Sequence, residues 1–282
     1  MLEMKFSGTW MLAAWLGLAP SPVGAQLQLV TNAEPQCVFA GAAKNIAVIF
    51  RNPDNQNFAA DVRAGIFQTS SATAVQIGDV AWKKLQVLPQ QTVLESAQLD
   101  FPAVRSATKF LVRWFENTNR VIGVSTVWVY PTNLLAELNP LLAGQVLGVL
   151  DPNASLKPLL KQNGVKFTDL GESALEDFRG RLAILGPFSS KLQLSEAMLK
   201  RFKSLAANGE SVLWLQPPAG FRDKLQPSYF SVISGTNAIV VVQSSLVNNL
   251  AENPQSQETL LELCRQALQP AAPALIYPAS QP

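Results

Sequence analysis

The sequence predicts two domains, an all-β sandwich followed by an α/β doubly wound parallel sheet, and two textures along the chain carry that expectation. As far as about Pro131 the apolar residues recur with period two, the mark of strands with one buried face. Beyond it, short uninterrupted apolar runs alternate with stretches of helical spacing, as a parallel sheet covered on both faces requires. A length of 282 residues, 48% of them hydrophobic, is enough for two separate cores.

Residues 1–25 are set apart as a signal peptide. Lys5 supplies a positive start, Trp10 to Leu18 form a short apolar run, Pro20 and Pro22 break it, and Val23-Gly24-Ala25 puts small residues at a cleavage point. Cleavage after Ala25 leaves Gln26 first. The run is far shorter than the roughly 20 apolar residues that span a bilayer. No cysteine sits at the cleavage point, and no later stretch is long and apolar enough to span. The expectation is an exported protein, periplasmic or extracellular, without a transmembrane anchor after cleavage.

Residues 26–131 are assigned to the sandwich. Ile46, Val48 and Phe50 alternate with Asn45, Ala47 and Ile49 before a turn at Arg51-Asn52-Pro53-Asp54-Asn55. Val62, Ala64 and Ile66 continue the pattern, and Phe110, Val112 and Trp114 point opposite to Leu111, Arg113 and Phe115. Glu116 to Arg120 is rich in turn formers, so Val121 to Tyr130 returns as a strand dense in β-branched and aromatic residues. Trp82, Trp114 and Trp128 fall in strand-like runs and are expected in cores rather than as sugar-binding platforms.

Residues 132–144 follow as a linker with a short helix at Leu134 to Leu138, and 145–269 as the α/β domain. Strands are expected at Gln145–Leu150, Lys166–Leu170, Leu182–Leu185, Ser211–Leu215 and Ala238–Val242. Helices are expected at Asn153–Gln162, stopped by Gly164, at Leu194–Ala207, closed by Asn208-Gly209, and at Ser256–Leu268. Residues 270–282, rich in proline, form a tail.

Two stretches resemble known families. Leu88 to Pro131, with Leu-Pro-Gln-Gln ahead of the strands Thr108–Trp114 and Val121–Pro131, resembles the immunoglobulin-like adhesion and accessory modules of secreted bacterial proteins. Gly148-Val149-Leu150-Asp151, Leu156 to Gly164, Arg181 to Gly186, Leu199 to Gly209 and Ser211 to Leu215 resemble the class I glutamine amidotransferase-like (flavodoxin-like) fold over about residues 143–268, especially its non-catalytic relatives in exported proteins. Catalytic members carry a glycine-flanked cysteine elbow activated by a downstream histidine. Here Ser211–Leu215 runs into Gln216-Pro217-Pro218, and the chain has no histidine. The resemblance therefore implies the fold without the amidotransferase chemistry.

The missing histidine excludes Ser-His-Asp, Cys-His and His-metal chemistry throughout. Charges are nearly balanced, 22 Lys and Arg against 20 Asp and Glu, and the basic residues are scattered, so neither a nucleic-acid footprint nor a polybasic membrane patch is expected. No phosphate-binding glycine loop is present. No catalytic residue, metal ligand or cofactor is assigned. In doubly wound sheets ligands sit beyond the carboxyl ends of the strands, which points to a polar rim of Asp151, Asn153, Ser189, Ser190 and Gln216. Asp151 and Asn153 serve equally as helix-starting side chains. Cys37 and Cys264 are either two buried thiols or one bridge joining the halves. The function expected is that of a non-catalytic accessory or scaffold protein whose partner is another protein or a cell-surface macromolecule. The alternatives are a carbohydrate- or small-ligand-binding module using the rim, and, more remotely, a hydrolase working with carboxylates alone.

Overall fold

The computed structural model describes residues 26–30, 35–116, 120–171, 177–188, 200–202, 204–205, 208–215, 229–234, 237–242 and 249–268. Eight strands come first: β1 (Gln28–Val30), β2 (Gln36–Phe39), β3 (Gly41–Arg51), β4 (Phe58–Thr69), β5 (Ala74–Val87), β6 (Thr92–Phe101), β7 (Thr108–Glu116) and β8 (Arg120–Tyr130). They form a three-stranded sheet, β1-β3-β6, and a five-stranded sheet, β2-β8-β7-β4-β5.

The two sheets enclose one core because alternate residues of each strand point inward. Ile46, Val48 and Phe50 of β3 and Ala97, Leu99 and Phe101 of β6 meet Val62, Ala64 and Ile66 of β4 and Phe110, Val112 and Trp114 of β7. At its centre the rings of Phe50, Trp82 and Trp114 pack in a triangle with centroids 5.3 to 6.0 Å apart. Trp114 is fully buried, and its indole N–H donates to Ser125 Oγ at 2.9 Å. Trp82 belongs to the edge strand β5 and reaches this cluster at a bulge, where the β4 pairing skips from Lys83 to Ala81. The bulge, together with Lys83 and Lys84 beside it, also makes this edge a poor template for another strand.

The second part comprises a 3₁₀ turn (Leu134–Glu137), α1 (Leu138–Leu142), β9 (Leu147–Leu150), α2 (Lys157–Gln162), β10 (Phe167–Asp169), β11 (Leu182–Leu185), β12 (Ser211–Leu215), β13 (Tyr229–Ser234), β14 (Asn237–Val242) and α3 (Pro254–Leu268). Residues 200–202 and 204–205, inside the expected helix at Leu194–Ala207, are helical. The strands form a six-stranded sheet in the order β10-β9-β11-β12-β14-β13. β9, β11 and β12 are buried at every position, so both faces of the sheet are covered. Leu147, Val149, Leu182, Ile184, Leu213 and Leu215 face one side with Leu260, Leu261 and Cys264 of α3. Leu150, Ala183, Leu185, Val212 and Trp214 face the other with Phe178, Phe188, Phe202 and Leu205. Leu134, Leu135, Leu138 and Leu142, in the stretch expected as a linker, lie buried in the first of these cores.

The expected fold class, an immunoglobulin-like all-β sandwich ahead of a doubly wound parallel sheet, is corrected on three points. The five-stranded sheet is mixed, because β2 runs parallel to β8 in the register Cys37 to Trp128 and Phe39 to Tyr130. The six-stranded sheet is also mixed, since β13 and β14 form an antiparallel pair at its edge. Among the described residues strand far outweighs helix, and α1 and α2 are only five and six residues long. The physical reason for the shortest departure is local. Residues 153–156, expected as the first turn of a helix, are held in a turn by the side chain of Asp151, so α2 begins only at Lys157.

The two parts share a face. Cys37 and Phe39 of β2, Trp128 and Tyr130 of β8 and Ala107 pack against the core under α3, on the side of the five-stranded sheet that faces away from its own core. Strand periodicity requires this arrangement: Val127 and Val129 point into the first core, so Trp128 and Tyr130 must point out of it.

Candidate functional site

At the carboxyl end of β9 the Asp151 side chain is buried and fully engaged. Oδ2 accepts the amides of Leu156 at 2.7 Å and Lys157 at 2.9 Å, and Oδ1 accepts the Ser155 hydroxyl at 3.3 Å. A carboxylate placed at the first amides of a helix satisfies donors that have no intrahelical partner and suits the positive end of the helix dipole. The neighbouring described groups are tied down in the same way. Asn153 Nδ2 donates to the Pro187 carbonyl at 2.9 Å, and the Gly186 amide donates to the Leu150 carbonyl at 2.8 Å, joining the ends of β9 and β11. Lys157 Nζ meets Asp169 Oδ2 at 2.6 Å, joining α2 to the end of β10, and the Gly171 amide donates to Asp169 Oδ1 at 2.8 Å. The Lys157 contact is the main reason the Asp169 carboxyl lies below its ordinary value, burial opposing it.

Asp151 and Asn153 thus lie together, each tied to the backbone of the fold. Ser189, Ser190 and Gln216, the rest of the expected rim, lie outside the described residues. Cys37 and Cys264 are not joined by a disulfide. Cys264 lies inside the core under α3, where burial pushes its thiol up to about 12, and Cys37 packs against that core close to the Tyr130 phenol. Among the described residues no group of three or more acidic or cysteine side chains is arranged to hold a metal ion.

An open groove of about 550 Å³ lies at the opposite end of the parallel strands from the expected rim. Asn139, Gln145, Val146, Lys166, Phe167 and Thr168 line it, at the entrance to β9 and β10. Among the described residues that line it, Lys166 is the one charged side chain.

A further surface escaped the sequence reading. On the outer face of the five-stranded sheet, Arg63, Gly65 and Phe67 of β4 stand opposite Phe115, Arg113 and Leu111 of β7. The Arg63 guanidinium lies over the Phe115 ring, 5.1 Å from its centroid, and the Arg113 guanidinium lies over Phe67 at 5.0 Å. Gly65 sits between the two rings: a Cβ there would be 3.0 Å from Phe115 and 3.1 Å from Phe67. The signal in the sequence was the strand period itself, which puts Phe67 and Phe115 on the side away from the valines and the tryptophan of the core.

No protein-family model matches this chain, and no curated protein matches it. Solved structures match it in part. The alkylpurine DNA glycosylase AlkC of Pseudomonas fluorescens is 11% identical over 38% of this chain and 31% of its own, with a TM-score of 0.30. A β-glucosidase of Listeria innocua is 13% identical over 44% of this chain and 20% of its own, with a TM-score of 0.29. The sporulation control protein Spo0M of Bacillus subtilis is 11% identical over 42% of this chain and 56% of its own, with a TM-score of 0.29. The chain spans under a third of the first two proteins and little more than half of the third. Likenesses this partial carry no functional argument.

Proposed function

We propose that this protein is an exported accessory protein that works without catalysis, by holding another macromolecule. The observation that carries the reading is the engagement of Asp151. The carboxylate expected to mark a ligand site has both oxygens occupied by Ser155, Leu156 and Lys157. A group held this way stabilises the fold and has little capacity left for a substrate. The leader-like segment at residues 1–25 and the absence of histidine support the same reading from the sequence.

The test is capture of the full-length tagged protein from the envelope of its native host after reversible crosslinking, with mass spectrometry of what remains bound. A stoichiometric macromolecular partner is the expected result. Recovery of the protein alone, together with a strong hit on a glycan array, would favour the carbohydrate-binding alternative. Turnover of a substrate that is abolished by changing one acidic side chain would overturn the reading in favour of a hydrolase.

A further inference from the structure

The geometry points to the outer face of the five-stranded sheet as the docking surface, and to an acidic, extended segment of a partner protein as its occupant. The inference rests on the macromolecule-binding role proposed above and names where that binding happens. Three features of the face carry it.

The first is charge. Arg63 pairs with Asp79 at 3.3 Å, and Asp61 stands opposite Lys84 in the β4–β5 register. Asp61 and Asp79 are the carboxylates that β4 and β5 bring to this face, and Arg63 and Lys84 stand beside them. Arg113 and Lys109 of β7 project from the same face, and among the described residues neither has an ion-pair partner. The face is therefore left with excess positive charge, which an acidic partner would match.

The second is the state of the aromatic rings. A ring that binds sugar needs an open face on which to stack, whereas the rings of Phe67 and Phe115 each lie under a guanidinium. Contact with a ring restricts the arginine side chain, and a planar guanidinium is the group that binds a carboxylate through two parallel hydrogen bonds. Arginine and aromatic side chains are also the residues that dominate protein–protein hot spots.

The third is continuity with a contact the chain already makes. One end of this sheet face, at Trp128 and Tyr130, is covered by the core under α3. Lys109 is the register partner of Trp128, and Leu111 and Arg113 follow along β7. At the other end Val121 and Val124 of β8 are 45% and 39% exposed. The open face thus begins at the edge of the covered one. The strands run across it in regular rows, and the Phe67 and Phe115 rings close over Gly65 between the two arginine–phenylalanine pairs.

The test uses the full chain and a fluorescent glutamate-rich peptide, read by anisotropy at low and at physiological salt. Arg113→Glu is expected to weaken binding by about tenfold or more. Arg113→Lys, which keeps the charge but loses the planar fork, is expected to fall between the two. Leu94→Lys, on the outer face of the other sheet, is expected to leave binding unchanged. Thermal melts that match the parent show that each variant is folded. Undiminished peptide binding by Arg113→Glu overturns the proposal, as does tighter binding of a polyuronate than of the peptide at the same residues. Capture from the native envelope separates the two levels. A partner retained by Arg113→Glu defeats this surface and leaves the accessory role standing, whereas no partner with the parent protein defeats the accessory role itself.

Discussion

The Tyr130 hydroxyl donates to Glu258 Oε2 at 2.8 Å, joining the last residue of β8 to α3 across 128 residues of chain. Tyr130 is buried in the core that the strands and α3 share. Burial first, and the Glu258 carboxylate second, push the phenol well above its ordinary value. Tyr130→Phe should lower the free energy of unfolding by about 1.5 to 3 kcal/mol, the range for a hydrogen bond to a charged group. A shift of the urea midpoint without a change in slope would check it. Glu258→Gln keeps an acceptor and should cost less.

Cys264 supplies a pH dependence. Its ordinary value of 9.0 is pushed up to about 12 by burial, with Arg265 opposing. Between those limits the unfolded chain releases the proton while the folded one keeps it, so this contribution to stability is complete below pH 9 and is lost as pH rises toward 12. The limiting slope is about 1.4 kcal/mol per pH unit. Cys264→Ala should flatten the fall of stability between pH 9 and 10 in chemical denaturation, below the range where Tyr130 adds its own loss. An unchanged slope in the variant would assign the alkaline loss elsewhere.

Asp151→Ala should destabilise the protein by about 0.5 to 2 kcal/mol, the cost of removing a helix-capping side chain. Asp151→Asn, which keeps an acceptor for the Leu156 and Lys157 amides, should recover most of that. A ligand-binding carboxylate predicts the opposite sign, because such groups are held at a cost to stability. Thermal denaturation of the two variants decides between the roles.

Trp114→Ala should cost about 3 to 5 kcal/mol, since it opens a cavity beside Phe50 and Trp82 and leaves the Ser125 hydroxyl without the indole donor. Trp114→Phe fills most of the space and should cost less. The same unfolding assay, read by tryptophan fluorescence and by circular dichroism, would show whether the two sheets lose their shared core together.

Most strands were legible because their signal is local. The alternation at Ile46, Val48 and Phe50 and at Phe110, Val112 and Trp114 marks the same residues that fill the first core. The four-residue apolar run Leu182–Leu185 is a strand buried at every position. The pairing of those strands was not legible. Nothing near Cys37 announces that β2 lies parallel to β8, because that neighbour is about ninety residues away and is set by where Phe39 and Tyr130 can reach the core under α3. The run Asn153 to Gln162 has helical spacing, yet its first turn is taken by the Asp151 carboxylate, a competition that periodicity does not record. The arginine–phenylalanine face was hidden for a related reason. Period two shows that Phe67 and Phe115 point away from the valines, but only the register of β4 against β7 brings them beside Arg113 and Arg63.

The sequence by itself determined the exclusion of imidazole chemistry and the buried faces of strands such as β3, β4 and β7, since these depend on residue identity and on a spacing of two. The tertiary structure alone decided which faces meet, how Asp151 is used, and that Trp128 and Tyr130 are covered while Arg113 stays open. Those outcomes depend on contacts between residues far apart in the chain, where packing and backbone hydrogen bonding outweigh any local preference.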